Sequence, residues 1–232
     1  MLPKDVPIVG KLSDNLCLSG GAKGADTAWG EEAAKAGHQV IHWSFEGHKC
    51  FGPPEHTVIL DEETLKQADE RLEMANETLK RRLPYHKPWL INLLRRNWFQ
   101  VQHAEEVWVV GTLTDRAIIK GQELLSKHPD KLGIDGGTAW ACQMYLDKFR
   151  EKQNELAKIS PLPADPELIQ FKLVFYDQVT RKVYGFSPAW FCWQTLDENI
   201  LRQPKGIYAA IGSRDLQENG KAYICHLYND PR

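Results

Sequence analysis

Cysteine is scarce in this chain and forms no pattern. The five residues, Cys17, Cys50, Cys142, Cys192 and Cys225, are odd in number, widely scattered and free of any CxxC pair. That usage fits reduced thiols in a cytoplasmic protein better than a disulfide framework. Long hydrophobic runs are missing too: no stretch approaches the ~20 apolar residues that span a bilayer, so no membrane partner is expected. The opening MLPKDVPIVGKLSD lacks the apolar core of a secretion signal. Neither charge sign dominates, since 29 Lys and Arg stand against 31 Asp and Glu for a net charge of −2. This argues against wholesale coating of nucleic acid and leaves a local basic patch open. The GK[ST] of a P-loop and the GxGxxG fingerprint are both absent. His42, His48, Cys50 and His56 have the spacing of no strong metal motif and read as loop residues, with no metal implied. No serine–histidine–acid set can be assembled from spacing, and Ser19 has no obvious base.

What is present is ordinary for a globular protein: 232 residues, 42% hydrophobic and 26% charged, enough for one domain with a sizeable core. Periodicity predicts short strands at 15–19, 39–43, 106–111, 171–176 and 207–211. Helices are expected at 25–36, 61–82, 88–104, 138–155 and 215–228. Residues 44–60 read as a loop, 160–168 (SPLPADPEL) as a linker, and 183–193 as an aromatic-rich strand and covering loop. Alternation of strands and helices predicts an α/β fold: a mainly parallel sheet with helices on both faces.

Between the first strand and helix stands LCLSGGAKGAD, residues 16–26. Loops at the carboxyl ends of parallel strands are where α/β sheets bind ligands. Glycines there let an anion approach the backbone, and the helix N-terminus supplies unpaired N–H groups. Ser19, Gly20, Gly21, Ala22, Lys23, Gly24 and Asp26 are therefore candidate contacts, with Gly21 expected to leave room for phosphate. A tight strand-to-helix turn accounts equally well for this block alone. A second block, GIDGGTAWACQ at 133–143, again sets paired glycines before a helix. It adds Gly136, Gly137 and Thr138, the last able to cap the helix or meet an oxygen.

These blocks, with RRN at 95–97 and EVWVVGTL at 106–113, resemble the SLOG superfamily, the group of the DNA-processing DprA proteins and the cytokinin-activating LOG proteins. The resemblance covers roughly residues 15–193 in scattered blocks. It implies a Rossmann-like fold and a bound nucleotide or nucleotide-derived phosphate ligand, with no further cofactor. It also implies that Arg96 and Asn97 reach the ligand or brace its loop. Such proteins often begin with a strand ending in GSR, whereas here IYAAIGSRD lies at 207–215. That order is expected of a circular permutation, with the 206–232 unit completing a single domain and Gly212, Ser213 and Arg214 joining the site. A chance GSR in an appended strand is the alternative.

Two rival functions remain open at this stage. LOG enzymes, N-glycoside hydrolases, carry PGGxGTxxE, but counting from Gly136 the glutamate position is Gln143, and Ala139 and Trp140 displace the expected glycine. Asp26, Glu31 or Glu32 would then have to supply a carboxylate, although Asp26 fits a helix cap or a ribose hydroxyl and the glutamates an exposed face. The run KRRLPYHKPWLINLLRRN at 80–97 has six Lys and Arg and no acid. It suggests a nucleic-acid channel of the DNA-processing kind, or simply a helix end and a solvated face. Trp190 and Trp193 read as core or cover. Homo-oligomerisation is left open.

Overall fold

The structure is a computed structural model describing residues 15–113, 117–119, 122–124, 132–159, 172–187, 192–197 and 202–229. In chain order the elements begin β1 (Leu16–Ser19), α1 (Ala25–Lys35), β2 (Gln39–Phe45), β3 (Thr57–Leu60), α2 (Glu62–Lys66), α3 (Asp69–Leu79) and α4 (Pro88–Val101). They continue β4 (Glu106–Gly111), β5 (Ala117–Ile119), β6 (Gln122–Leu124), α5 (Thr138–Ile159), β7 (Leu173–Asp177), β8 (Lys182–Ser187), β9 (Cys192–Thr195), β10 (Ile207–Gly212) and α6 (Glu218–Asn229). The N-terminal stretch, the 160–168 linker and Trp190 lie outside the described residues. Among the described residues no helix is long and apolar enough to cross a membrane.

Eight strands form one mixed sheet in the order β3-β2-β1-β10-β4-β7-β8-β9. The pairings from β3 to β7 are parallel, and β8 and β9 add antiparallel to one edge. β5 and β6 make a separate two-stranded sheet. Because side chains alternate across a strand, each central strand feeds two cores. Leu16 and Leu18, Val107 and Val109, and Ala209 and Ile211 face one cluster with helices α2 to α5. Cys17, Trp108 and Val110, and Tyr208 and Ala210 face the other, closed by Ala28 and Trp29 of α1 and Ile224 and Leu227 of α6. Helices thus cover both faces.

β10 is an interior strand. It pairs Ile207 with Leu16 on one side and Tyr208 with Glu106 on the other. A buried chain of polar side chains locks it in place. Asn15 lies 3.3 Å from His38, His38 lies 2.7 Å from the Tyr208 hydroxyl, and that hydroxyl lies 2.7 Å from Tyr228 on α6. At the opposite side of the strand, Glu106 bonds Trp108 Nε1 and the guanidinium of Arg202, just before β10.

Two elements differ from the sequence expectation. The single helix predicted at 61–82 is two, α2 and α3, separated at Gln67 and Ala68, and it ends at Leu79 because Lys80 turns left-handed at φ 53°. No glycine or proline marks the break; the two pieces are held by Arg95 of α4, which bonds Asp69 through Nε and Nη2 at 2.7 and 2.8 Å and Glu62 at 3.1 Å. The predicted loop at 44–60 contains the end of β2 and all of β3, whose Ile59 is 62% exposed on the sheet's edge. An edge strand with one wet face carries too little hydrophobic pattern to stand out among turn residues. The aromatic 183–193 segment supplies two strands, β8 and β9, and Trp193 is core: it packs on Phe175 and Phe186 and donates to the Leu132 carbonyl.

Candidate functional site

Strands β10 and β4 run parallel side by side, but the helices after them go to opposite faces, α6 to one and α5 to the other. The loops therefore part at their carboxyl ends and leave a crevice, the place where open α/β sheets hold ligands. A cavity of about 360 Å³ lies there, at the lower end of the ~300–1,000 Å³ usual for small-molecule sites. Its walls are Gly111 and Thr112 at the end of β4, Ile211 to Asp215 at and beyond the end of β10, the second glycine turn, and the Leu90, Leu93 and Leu94 side of α4.

Of the residues predicted from sequence, the cavity brings together Ala22, Asp26, Arg96, Asn97, Gly136, Gly137, Thr138, Gly212, Ser213 and Arg214. Ser19, Gly20, Gly21, Lys23 and Gly24 are not on its lining. Their roles are internal. The Ser19 hydroxyl donates to the Asp26 carbonyl at 2.8 Å and accepts from Gly21 N–H at 3.2 Å, which shapes the turn. Gly24, at φ 99°, lets the loop after β10 come so close that a Cβ would stand 2.5 Å from the Ser213 and Arg214 carbonyls. Accordingly the first N–H of α1, on Ala25, donates to the Ser213 carbonyl at 2.9 Å rather than to a ligand. A Cβ on Gly21 would meet Cys50 Sγ at 2.3 Å, so that face of the glycine is packed against protein. Lys23 is exposed.

The first loop's anion preference is used by the protein itself. Asp26 makes no helix cap. Its carboxylate lies 3.4 Å from Arg96 Nη2, with the backbone N–H groups of Gly212 and Ala22 in its surroundings. Burial pushes the Asp26 carboxyl above its ordinary range, while Arg96 and the two N–H groups pull it back. Arg96 also donates through Nη1 to the Gly20 carbonyl, and a Cβ on Gly20 would overlap its guanidinium. Asn97, next along α4, donates to the Gly137 carbonyl at 3.2 Å and accepts from Arg96 at 3.3 Å. These adjacent residues brace one glycine turn each.

The second turn is open. Gly136 and Gly137 are exposed beside the N-terminus of α5, and both line the cavity with Thr138. The Thr138 hydroxyl donates to the Gly212 carbonyl at 3.2 Å, joining this turn to the one after β10. Arg214 is exposed at the rim with its guanidinium 5.4 Å from the Trp89 ring centre. Gln143 is not on the lining. It is fully buried on α5, where its amide donates to Asp147 at 2.8 Å. Glu31 and Glu32 are not on the lining either, and Glu32 pairs with Lys35.

Sequence reasoning did not single out Arg81, Gln100 or the three leucines of α4. Arg81 donates to the carbonyls of Ile134 and Gly136 at 2.6 and 2.9 Å and rests over Trp140, so it holds the second turn from outside. With Arg95 and Arg96 also turned inward, the basic run at 80–97 does not present a continuous cationic stripe. The leucines had a signal, helical spacing next to RRN; Gln100 had none. His42, His48 and Cys50 pack behind the first glycine loop, His48 against Ser44 at 2.9 Å and Cys50 against Thr57 at 3.6 Å. Among the described residues no group of histidine, cysteine or acidic side chains is arranged to hold a metal. Compared with known proteins, the chain matches no family model, no curated protein and no solved structure.

Proposed function

We propose that this chain is a Rossmann-like, circularly permuted SLOG-type protein that binds a nucleotide or nucleotide-derived phosphate ligand in the crevice after β10 and β4. One observation carries the reading. Three separate turns, from Ala22, from Gly136 and from Gly212, converge on one cavity together with Arg96 and Arg214. Sequence resemblance picked the same blocks from positions up to about 190 residues apart. Permutation is supported by the interior position of β10, which brings GSR beside the first glycine loop.

The phosphate belongs at the second turn. There the α5 N-terminus offers N–H groups and Arg214 a full charge, each charge-assisted hydrogen bond contributing about 1.5–3 kcal/mol. The first turn is filled by the buried Asp26–Arg96 pair, whereas the carboxylate at the second turn, Asp135, which takes the Gly136 N–H at 2.8 Å, is exposed to solvent. Binding rather than LOG-type hydrolysis is favoured by Gln143, which is buried away from the cavity and carries no carboxylate. The inward turn of Arg81, Arg95 and Arg96 weighs against the nucleic-acid reading.

Native mass spectrometry and calorimetry on the purified protein test this. The expected results are a nucleotide-sized ligand or binding of a ribonucleoside phosphate, and no free base released from nucleoside monophosphates. A folded protein that binds none of the ribonucleoside mono-, di- or triphosphates overturns the assignment. Release of base would instead make this an N-glycosidase, with Asp26, Asp135 and Asp215 as the carboxyls on the lining that could serve as its acid.

A further inference from the structure

A tryptophan is largely buried in most proteins, and one left in water asks what it is for. Trp29, Trp43, Trp108, Trp140 and Trp193 are each 7% exposed or less, and Trp98 is half-buried. Trp89, at the first turn of α4, stands 46% exposed. It is not on the cavity lining, but two of its neighbours are: Leu90 follows it in sequence, and the Arg214 guanidinium lies over its ring, 5.4 Å from the centre. The indole itself is tethered. Its Nε1–H donates to the Gly47 carbonyl at 3.4 Å, and Pro88 stiffens the backbone just before it.

Arg214 is held far less firmly. Among the described residues no hydrogen bond or ion pair fixes its guanidinium, which leaves it the ring. A cation over an exposed ring is a weak contact, and a guanidinium bonds an anionic oxygen more strongly. Resting on the nucleotide reading above, we infer that Trp89 binds the base. The phosphate at the second turn draws Arg214 off the indole, and the base stacks on the ring in the place that the guanidinium leaves.

The selectivity follows from the kind of contact. Every base has a flat π face, so stacking accepts all of them. What the ring distinguishes is a nucleotide from a sugar phosphate, which carries the same anion and no flat apolar body to cover the indole. Trp89 belongs to neither hydrophobic core of the protein, so truncating it should not harm the fold.

Calorimetry on wild type, Trp89→Ala and Trp89→Phe tests the inference. The probes are the ribonucleoside mono-, di- and triphosphates, with ribose 5-phosphate as the anion that lacks a base. Trp89→Ala should weaken nucleotide binding roughly 5- to 150-fold, the loss of one base–aromatic stack. Its weak binding of ribose 5-phosphate should match wild type, and Trp89→Phe should recover most of the nucleotide affinity. In NMR, the base protons of a nucleotide bound to wild type should shift upfield under the indole ring current. Nucleotide binding by Trp89→Ala as tight as wild type overturns the role given to Trp89, as does equal weakening of nucleotide and ribose 5-phosphate. Base protons that do not shift on wild type overturn it too, whatever the stability of the variants. A wild type that binds none of the nucleotides is a different outcome, since it removes the nucleotide reading on which this one stands.

Discussion

Arg96 Nη2 lies 3.4 Å from Asp26 Oδ2, with the two side chains only 6% and 7% exposed, so the pair joins α4 to the first turn of α1 from inside the protein. Breaking a buried ion pair strands one charge, and the loss is typically about 3–5 kcal/mol. Arg96→Met is expected to lose about that much by urea denaturation at neutral pH. The double variant Arg96→Met with Asp26→Asn should recover a large part of it, since neither charge is then left alone. A double variant as unstable as the single one would mean that Arg96 acts mainly through the Gly20 carbonyl.

Gly24 and Gly136 separate the two glycine turns experimentally. Both have positive φ, 99° and 65°, but a Cβ on Gly24 would strike the Ser213 and Arg214 carbonyls while one on Gly136 meets nothing within 4 Å. Gly24→Ala is expected to lower the midpoint of thermal unfolding sharply. Gly136→Ala should cost only the ~1 kcal/mol of a left-handed alanine. Equal losses in the two variants would contradict the packing of the β10 loop against the first turn. Gly21→Val belongs with Gly24, because Cys50 occupies its open face.

At the rim, Arg214→Ala should leave the fold intact, since the side chain is exposed and its ring contact is with the exposed Trp89. Binding of a nucleoside monophosphate is expected to weaken by about 1.5–3 kcal/mol, the scale of one charge-assisted contact. Calorimetry that finds no change would remove Arg214 from the phosphate site.

Acid should destabilise the protein through His42. Burial, with His56 and Arg96 nearby, lowers its pKa to about 4. The unfolded chain takes up the proton near 6.5 and the folded one does not, so stability is lost as pH falls from about 6.5 to about 4. The full loss from this residue is roughly 3 kcal/mol. His48, lowered to about 4 mainly by burial, acts in the same direction. Proton NMR titration of the His42 ring should show it neutral at pH 5. A midpoint near 6.5 would refute the claim.

The parts legible in the sequence were those where one element dictates its own pattern. EVWVVG and IYAAI are apolar on both faces, as strands covered twice must be, and both proved interior. Trp89, Leu93, Asn97 and Val101, four residues apart, marked α4. Illegible were features set by distant partners. Nothing around Gln67 and Ala68 announces a break between two pieces that Arg95, on another helix, holds through Asp69 and Glu62. The glycine block near the start reads like a phosphate loop because its backbone does favour an anion. That the anion is Asp26, and that Ser213 takes the first N–H of α1, depends on a strand arriving from far along the chain.

That arrival has a consequence for how the protein is made. Asn15 and Gly206, which meet at the start of β1 and β10, are 191 residues apart in sequence. Until residues 207–212 appear, β1 and β4 each present an unpaired edge, and no strand hydrogen bonds join the two halves of the sheet. Synthesis at ~5–20 residues per second leaves roughly 5–20 s between completion of β4 and of β10. During that interval the nascent chain carries two sticky strand edges of matching parallel register. Its folding rate is governed by the closing of one very long loop, and a chaperone that shields those edges should raise the yield of native protein.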